Sequence, residues 1–227
     1  MLRIGTGIAR GRRLKSVTGD IRPTGSRVRG SLFDILSAQI VDGTVLDLCA
    51  GTGILGIEAL SRGAHCCLFV DRDRRAVRTI RDNLDRCGFR GSSRIWRTDA
   101  IRSLDHLADH ACAVDIILAD PPYGDPVARE IVRTAGERNV LAPGGLLVLE
   151  HRGDDQPESC KGLDVVRRRT IGDTALSFFR PAGFARTGEP AQAGEPDRSG
   201  QAVAAATVNR TEALPIEIPP PSSRTRR

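Results

Sequence analysis

The 227-residue chain is 40% hydrophobic, enough for one sizeable α/β core and too short for two full domains with linkers. No run approaches the roughly 18 to 20 apolar residues of a membrane span, and the basic start, Met1 to Lys15, has no apolar signal core behind it, so a soluble, cytoplasmic protein is expected. The formal charge of +6 suits a polyanionic partner, and residues 1–30 concentrate it, with eight basic side chains against the single acid Asp20.

In chain order, the opening from Arg3 to Val17 has short strand-like pieces separated by glycine, the pattern of a basic hairpin or extended arm carrying Arg10, Arg12 and Arg13. Arg22 and Pro23 follow, then Ser26 as the expected N-cap of a helix whose Val28, Leu32, Ile35 and Leu36 share one face and would dock the arm on the core. Arg27 and Arg29 fall at the start of that helix. From Thr44 onward, apolar runs of strand length alternate with helical stretches: TVLDLC and a helix over 54–62, CCLFV and a helix over 73–87, RIWRT and a shorter helix. VDIILAD and a helix near 126–139 come next, then GGLLVLE after a turn at Ala142-Pro143-Gly144-Gly145. Strands this apolar, each followed by a helix, predict a Rossmann-like, mostly parallel sheet covered on both faces. Leu163–Thr170 and Thr174–Arg180, joined by Ile171-Gly172-Asp173, predict a terminal antiparallel hairpin. Beyond Pro181 the Pro, Gly, Ala, Glu and Ser content predicts a disordered tail. The expected divisions are therefore an arm with its docking helix over 1–40, a catalytic domain over 41–180 and a tail over 181–227.

Six cysteines without a C-x-x-C pair, mostly within apolar runs, read as reduced core residues. His106 and His110 stand four apart, as two metal ligands on a helix would, but nothing nearby supplies a third and fourth, so no metal is expected.

Between the first strand and first helix stands Asp47-Leu48-Cys49-Ala50-Gly51-Thr52-Gly53-Ile54-Leu55-Gly56. Glycine at 51 and 53 permits close approach of a nucleotide-like ligand to a helix N-terminus. Gly51-x-Gly53-x-x-Gly56 also satisfies the dinucleotide fingerprint, with Asp71 placed to bind a ribose diol, so an NAD-dependent oxidoreductase is the competing reading. Asp47 opposes it: a carboxylate there repels a pyrophosphate but suits the cationic amino group of a methionine moiety, directly or through water. The D-x-x-x-G-x-G pattern resembles motif I of the Rossmann-like methyltransferases, whose cofactor, S-adenosyl-L-methionine, carries a sulfonium and an ammonium. Asp99 resembles the acid of those enzymes that accepts a hydrogen bond from the adenine amino group. Helix N-capping is the alternative role for both Asp71 and Asp99.

At the C-terminal end of the fourth strand, where open α/β sheets bind ligands, sits Asp120-Pro121-Pro122-Tyr123. Two prolines stiffen the backbone so that nearby carbonyls can point outward. The motif resembles the D/N-P-P-Y/F signature of amino-methyltransferases. Its residue types suit the reaction: an exocyclic amino nitrogen is a poor nucleophile, and Asp120 with the Pro121 carbonyl can each accept one N–H, turning the lone pair toward a methyl group. Tyr123 offers a flat face for an extracted base.

Three further stretches, Arg10-Gly11-Arg12-Arg13-Leu14, Arg22-Pro23-Thr24 with Arg27-Val28-Arg29, and Gly172-Asp173-Thr174-Ala175-Leu176-Ser177-Phe178, extend the likeness over about residues 1–180. They resemble the RsmD-type guanine-N2 methyltransferases of small-subunit ribosomal RNA. That resemblance implies a seven-stranded sheet, S-adenosyl-L-methionine as cofactor, and methylation of a guanine amino group in 16S ribosomal RNA, free or in an assembling small subunit, by a monomer whose basic arm (Arg10, Arg12, Arg13, Arg22, Arg27, Arg29) binds the RNA. Two departures stand out: Gly30 replaces the family's Glu after R-V-R, and the tail lies outside the family's pattern. Another amino-methyltransferase of DNA, RNA or protein, and a noncatalytic RNA-binding module, are the remaining alternatives.

Overall fold

A computed structural model describes residues 2–17, 25–183 and 220–221 of the chain. In order it forms α1 (Ser26–Ile40), β1 (Thr44–Leu48), α2 (Ile54–Ser61), β2 (Cys66–Val70), α3 (Arg74–Cys87), β3 (Ser93–Trp96), α4 (Ala100–Asp109), β4 (Val114–Ala119), α5 (Val127–Arg138), β5 (Leu141–Arg152), β6 (Leu163–Ile171) and β7 (Thr174–Pro181). The strands make one sheet in the order β3-β2-β1-β4-β5-β7-β6. The first five strands are parallel, and β7 runs antiparallel to both of its neighbours.

The apolar runs of β1, β2 and β4 follow from burial on both faces. Helices α1 to α3 cover one face, bringing Phe33, Leu36, Ile57 and Ile80 against Phe69, Val148 and Phe178. Helices α4 and α5 cover the other, with Leu104, Leu107, Ile131 and Ala135 against Leu68, Ile117 and Phe179. The strand order reverses between β1 and β4, the switch point outside whose carboxyl ends such sheets bind ligands.

The N-terminal segment is a short hairpin, closed by an antiparallel bridge between Arg3 and Arg13. It packs directly on the core of the sheet as well as on α1: Ile4, Ala9 and Leu14 are buried in the cluster that contains Phe33 and Ile57. Glu58 of α2, itself buried, accepts the N–H groups of Gly5 at 2.7 Å and Thr6 at 2.9 Å. Ser61 donates to the Thr6 carbonyl and accepts from Ala9 N–H. Gly7 (φ +82°) has no room for a side chain, since a Cβ there would come 1.7 Å from the Ser61 carbonyl oxygen. Asn83 of α3 completes the docking: it exchanges two hydrogen bonds with the Lys15 backbone and donates to the Thr52 carbonyl of the glycine loop at 2.9 Å.

Three details differ from the sequence reading. Gly25 occupies the N-cap of α1 without a side-chain hydrogen bond, and Ser26 is the first helical residue. The turn at 142–145 lies inside β5 as a bulge, because Leu141 pairs with Val114 while Leu146 pairs with Ile116. The loop between β6 and β7 is shorter than expected, as Ile171 still pairs with Thr174. Arg22 lies outside the described residues, as does the tail apart from residues 181–183 and 220–221. Four of the six cysteines are buried and the other two half-buried, all as free thiols.

Candidate active site

The glycine loop leaves β1 through Cys49 (φ +56°), Gly51 (φ +55°) and Gly53 (φ +75°), three left-handed residues in five that fold the chain over the end of the strand. The N-cap of α2, Gly53, has no side chain to offer, and the Asp47 carboxylate takes the Gly56 N–H, which leaves the Ile54 and Leu55 N–H groups at the helix start for a ligand. Gly56 is required for packing: a Cβ there would stand 2.3 Å from the Phe69 ring and 2.6 Å from the Cys67 sulfur.

Asp47 lies beneath this loop, buried, with Oδ2 accepting the Gly56 N–H at 2.9 Å. Burial pushes its carboxyl well above the usual carboxylate range, the Gly56 hydrogen bond opposes the shift, and Asp120 and Asp71 add to it. Asp71, at the end of β2, accepts Gly51 N–H and Asp73 N–H, both at 2.8 Å, so it braces the loop from the side. It is not the cap of α3; that role belongs to Asp73, which accepts from Arg75 N–H. Desolvation raises the Asp71 carboxyl too. Asp99 does cap α4, accepting Arg102 N–H at 2.8 Å through Oδ1.

Asp120 leaves β4 with its N–H on the Leu48 carbonyl at 3.4 Å, which ties the D-P-P-Y turn to the base of the glycine loop. The Pro122 carbonyl accepts Asp125 N–H, whereas the Pro121 carbonyl takes no such turn hydrogen bond among the described residues. Tyr123 is 47% exposed, while its hydroxyl donates to Glu150 Oε1 at 3.1 Å and meets Thr174 Oγ1 at 2.9 Å. Burial first, then the neighbouring carboxylates, raise the Tyr123 phenol above its usual range, which keeps the hydroxyl proton in place. Glu150 and Thr174 were not anticipated from sequence; the signal was an acid closing the otherwise apolar run GGLLVLE.

Asp47, Asp71 and Asp120 therefore converge at the carboxyl ends of adjacent strands. The Cys49 thiol registers that field: burial, then Asp71, Asp120 and Asp47, push it up to about 12. Such a site repels a pyrophosphate and attracts a compact cation. A loop of left-handed glycines over a helix start with open N–H groups, with a buried acid below and an acid at the β2 end, fits an adenosyl-sulfonium amino acid.

The predicted RNA-binding set divides. Arg10, Arg12, Arg13 and Arg27 are exposed, although Arg12 also donates to the Arg86 carbonyl. Arg29 is a correction: it is 7% exposed, donates to the Arg3 carbonyl at 3.0 Å and faces Glu58 Oε2 at 3.8 Å, so it fastens the arm and is closed to a phosphate. Gly30, where the resembling family carries Glu, faces open space, and Glu58 organises the arm instead. His106 and His110 lie ring to ring at 4.3 Å, with His110 Nδ1 on the His106 carbonyl. Among the described residues, no group of three or more His, Cys, Asp or Glu could hold a metal ion.

The fold and this site together define a Rossmann-like, class I methyltransferase. The yhhF protein of Escherichia coli shares the architecture, with a TM-score of 0.71 at 30% identity over 79% of this chain and 97% of that one. The chain belongs to the family described as Conserved hypothetical protein 95, whose model matches residues 2–180. It is 36% identical to the YlbH protein of Bacillus subtilis over 80% of this chain and all of that protein. It is 33% identical to the ribosomal RNA small subunit methyltransferase D of Escherichia coli, over 79% of this chain and 89% of that protein.

Proposed function

We propose that this chain methylates the exocyclic N2 amino group of a guanine in small-subunit ribosomal RNA, acting as a monomer in the cytoplasm on free RNA or an assembling subunit. The observation that carries the reading is the meeting of Asp120, at the start of the D-P-P-Y turn, with the loop that Asp47 and Asp71 brace. The kinship with a ribosomal RNA small subunit methyltransferase supports the substrate class.

S-adenosyl-L-methionine supplies an electrophilic methyl group on sulfur. The chain's own residues do the rest. Gly51 and Gly53 would let the backbone approach the cofactor, Asp71 would take the ribose diol, the second oxygen of Asp99 the adenine amino group, and Asp47 would act on the ammonium through the loop it supports. Asp120 and the Pro121 carbonyl would each accept one guanine N–H, aiming the nitrogen lone pair at the methyl group and stabilising the positive charge the nitrogen gains on transfer, and the surplus N–H proton would leave along the hydrogen bond to the Asp120 carboxylate. Tyr123, with its hydroxyl held, presents its ring for stacking on the base. The segment over 1–40 would grip RNA phosphates through Arg10, Arg12, Arg13 and Arg27, beside a catalytic domain over 41–180 and a tail over 181–227.

Asp120→Ala is expected to slow single-turnover methyl transfer by about 100-fold to 1000-fold at saturating RNA and cofactor, with cofactor affinity preserved. Asp120→Asn keeps shape and one acceptor, and retains more activity than Ala if geometry outweighs charge. Full-rate transfer by the alanine variant would overturn the mechanism.

A further inference from the structure

We propose that the β6 edge of the sheet carries a second RNA-backbone contact, made by Arg167 and Arg169, that holds the strand beside the target nucleotide. The inference rests on the RNA-methylating reading above, and its geometry comes from the register of the terminal hairpin.

Residues opposite one another in an antiparallel pair present their side chains on the same face. Glu150 pairs with Leu176, and Leu176 with Arg169, so these three make one row across β5, β7 and β6. Val148, Phe178 and Arg167 make the row before it, and Arg152, Thr174 and Ile171 the row after. Tyr123 reaches this face, since its hydroxyl touches Glu150 of one row and Thr174 of the next. With strands about 4.8 Å apart, the Arg169 Cα stands roughly 10 Å from that of Glu150, and Arg167 about 7 Å further along the strand. Both side chains thus start at the open β6 edge, on the sheet face that α1 to α3 cover further in and that the Tyr123 hydroxyl reaches.

The contrast with the arm sharpens the point. Helix α2 runs eight residues, about 12 Å, from the glycine loop to Ser61, and the arm's tip is fastened at that far end, where Ile8 N–H meets the Ser61 carbonyl. Arg12 lies against the end of α3, another element leading away from the site. Ile8 and Arg12 are thus held on the far ends of two helices that lead away from the site, whereas Arg167 and Arg169 start in the rows that adjoin Glu150 and Thr174, the partners of Tyr123.

Charge supports a polyanion at this edge. Residues 167–170 are exposed, β6 is the last strand of the sheet, and no carboxylate pairs with Arg167 or Arg169 among the described residues. Arg133 and Arg138 of α5 differ: each is matched to two carboxylates, Glu130 and Glu137 for the first, Asp105 and Asp109 for the second. Arg168 points to the opposite face and donates to the Pro157 carbonyl at 2.8 Å.

The test measures binding of unmodified small-subunit ribosomal RNA, transcribed in vitro, as a function of salt. If each arginine neutralises one phosphate, Arg167→Ala with Arg169→Ala lowers the magnitude of the log-affinity versus log-salt slope by about 1.4 to 1.8 units. Arg133→Ala with Arg138→Ala leaves the slope unchanged, and S-adenosylhomocysteine affinity stays at the wild-type value in both double variants. An unchanged slope in the β6 variant overturns the proposal, even where the wild type methylates RNA normally. An equal loss in the α5 control also overturns it, because the effect is then one of net charge. Conversely, wild-type protein that transfers no methyl group to RNA, while the β6 variant alone loses slope, retains the contact and removes the enzymatic reading.

Discussion

Asp47 is an acid held where water cannot reach it, and the nearest charges, Asp120 and Asp71, have the same sign. Ionising it in the empty protein is therefore costly, and a bound cation offsets that cost. Because its folded pKa is raised, this group's contribution to the unliganded fold is complete below the ordinary carboxylate range and is lost as pH rises through the elevated value. A cationic cofactor favours the ionised form, so binding below that value releases a proton, and affinity rises with pH until Asp47 is ionised in both states. Calorimetric titration of S-adenosylmethionine in buffers of different ionisation enthalpy should show the release, and Asp47→Asn should abolish it. Identical binding enthalpies in every buffer would remove Asp47 from the electrostatics of the site.

At the scale of elements, the arm and α2 behave as one unit. Glu58 holds Gly5, Thr6 and Arg62 and faces Arg29, all at a position 1% exposed. Glu58→Ala leaves the buried Arg29 without its counter-charge and two arm N–H groups without acceptors, a loss of about 3 to 5 kcal/mol. Urea unfolding is the measurement, and a loss under about 1 kcal/mol would show that the arm is held by apolar packing alone. This element also shows where sequence reading stops. Asp120 and the glycine loop were legible because their chemistry is local: a strand end, a left-handed turn, a stiff dipeptide. Arg29 was misassigned because its partner is 29 residues away at Glu58, and the two meet only after α2 folds against α1. Glu58 itself sits in the apolar helix ILGIEALS, and an acid in such a helix is a visible oddity whose partner the sequence does not name. The same limit hid the hold on Tyr123, since Glu150 and Thr174 are brought to it by strand pairing across the sheet.

At the scale of the whole molecule, the seven strands among the described residues end by Pro181, and the family match ends at residue 180. A chain terminated after Gly183 is expected to keep the wild-type melting temperature and single-turnover rate. A drop in either would give the remaining residues a part in the fold or the reaction. The strand order carries one more consequence. Strand β7 lies between β5 and β6, so the last strand made fills an interior place in the sheet, and it brings Thr174 to the Tyr123 hydroxyl. While the ribosome is still adding residues before 174, the glycine loop and D-P-P-Y are already synthesised, but the tyrosine ring lacks that anchor. The final position of the Tyr123 ring is thus set only once β7 has been made and has slotted between β5 and β6, and a nascent chain that stops short of it holds the ring without its Thr174 anchor.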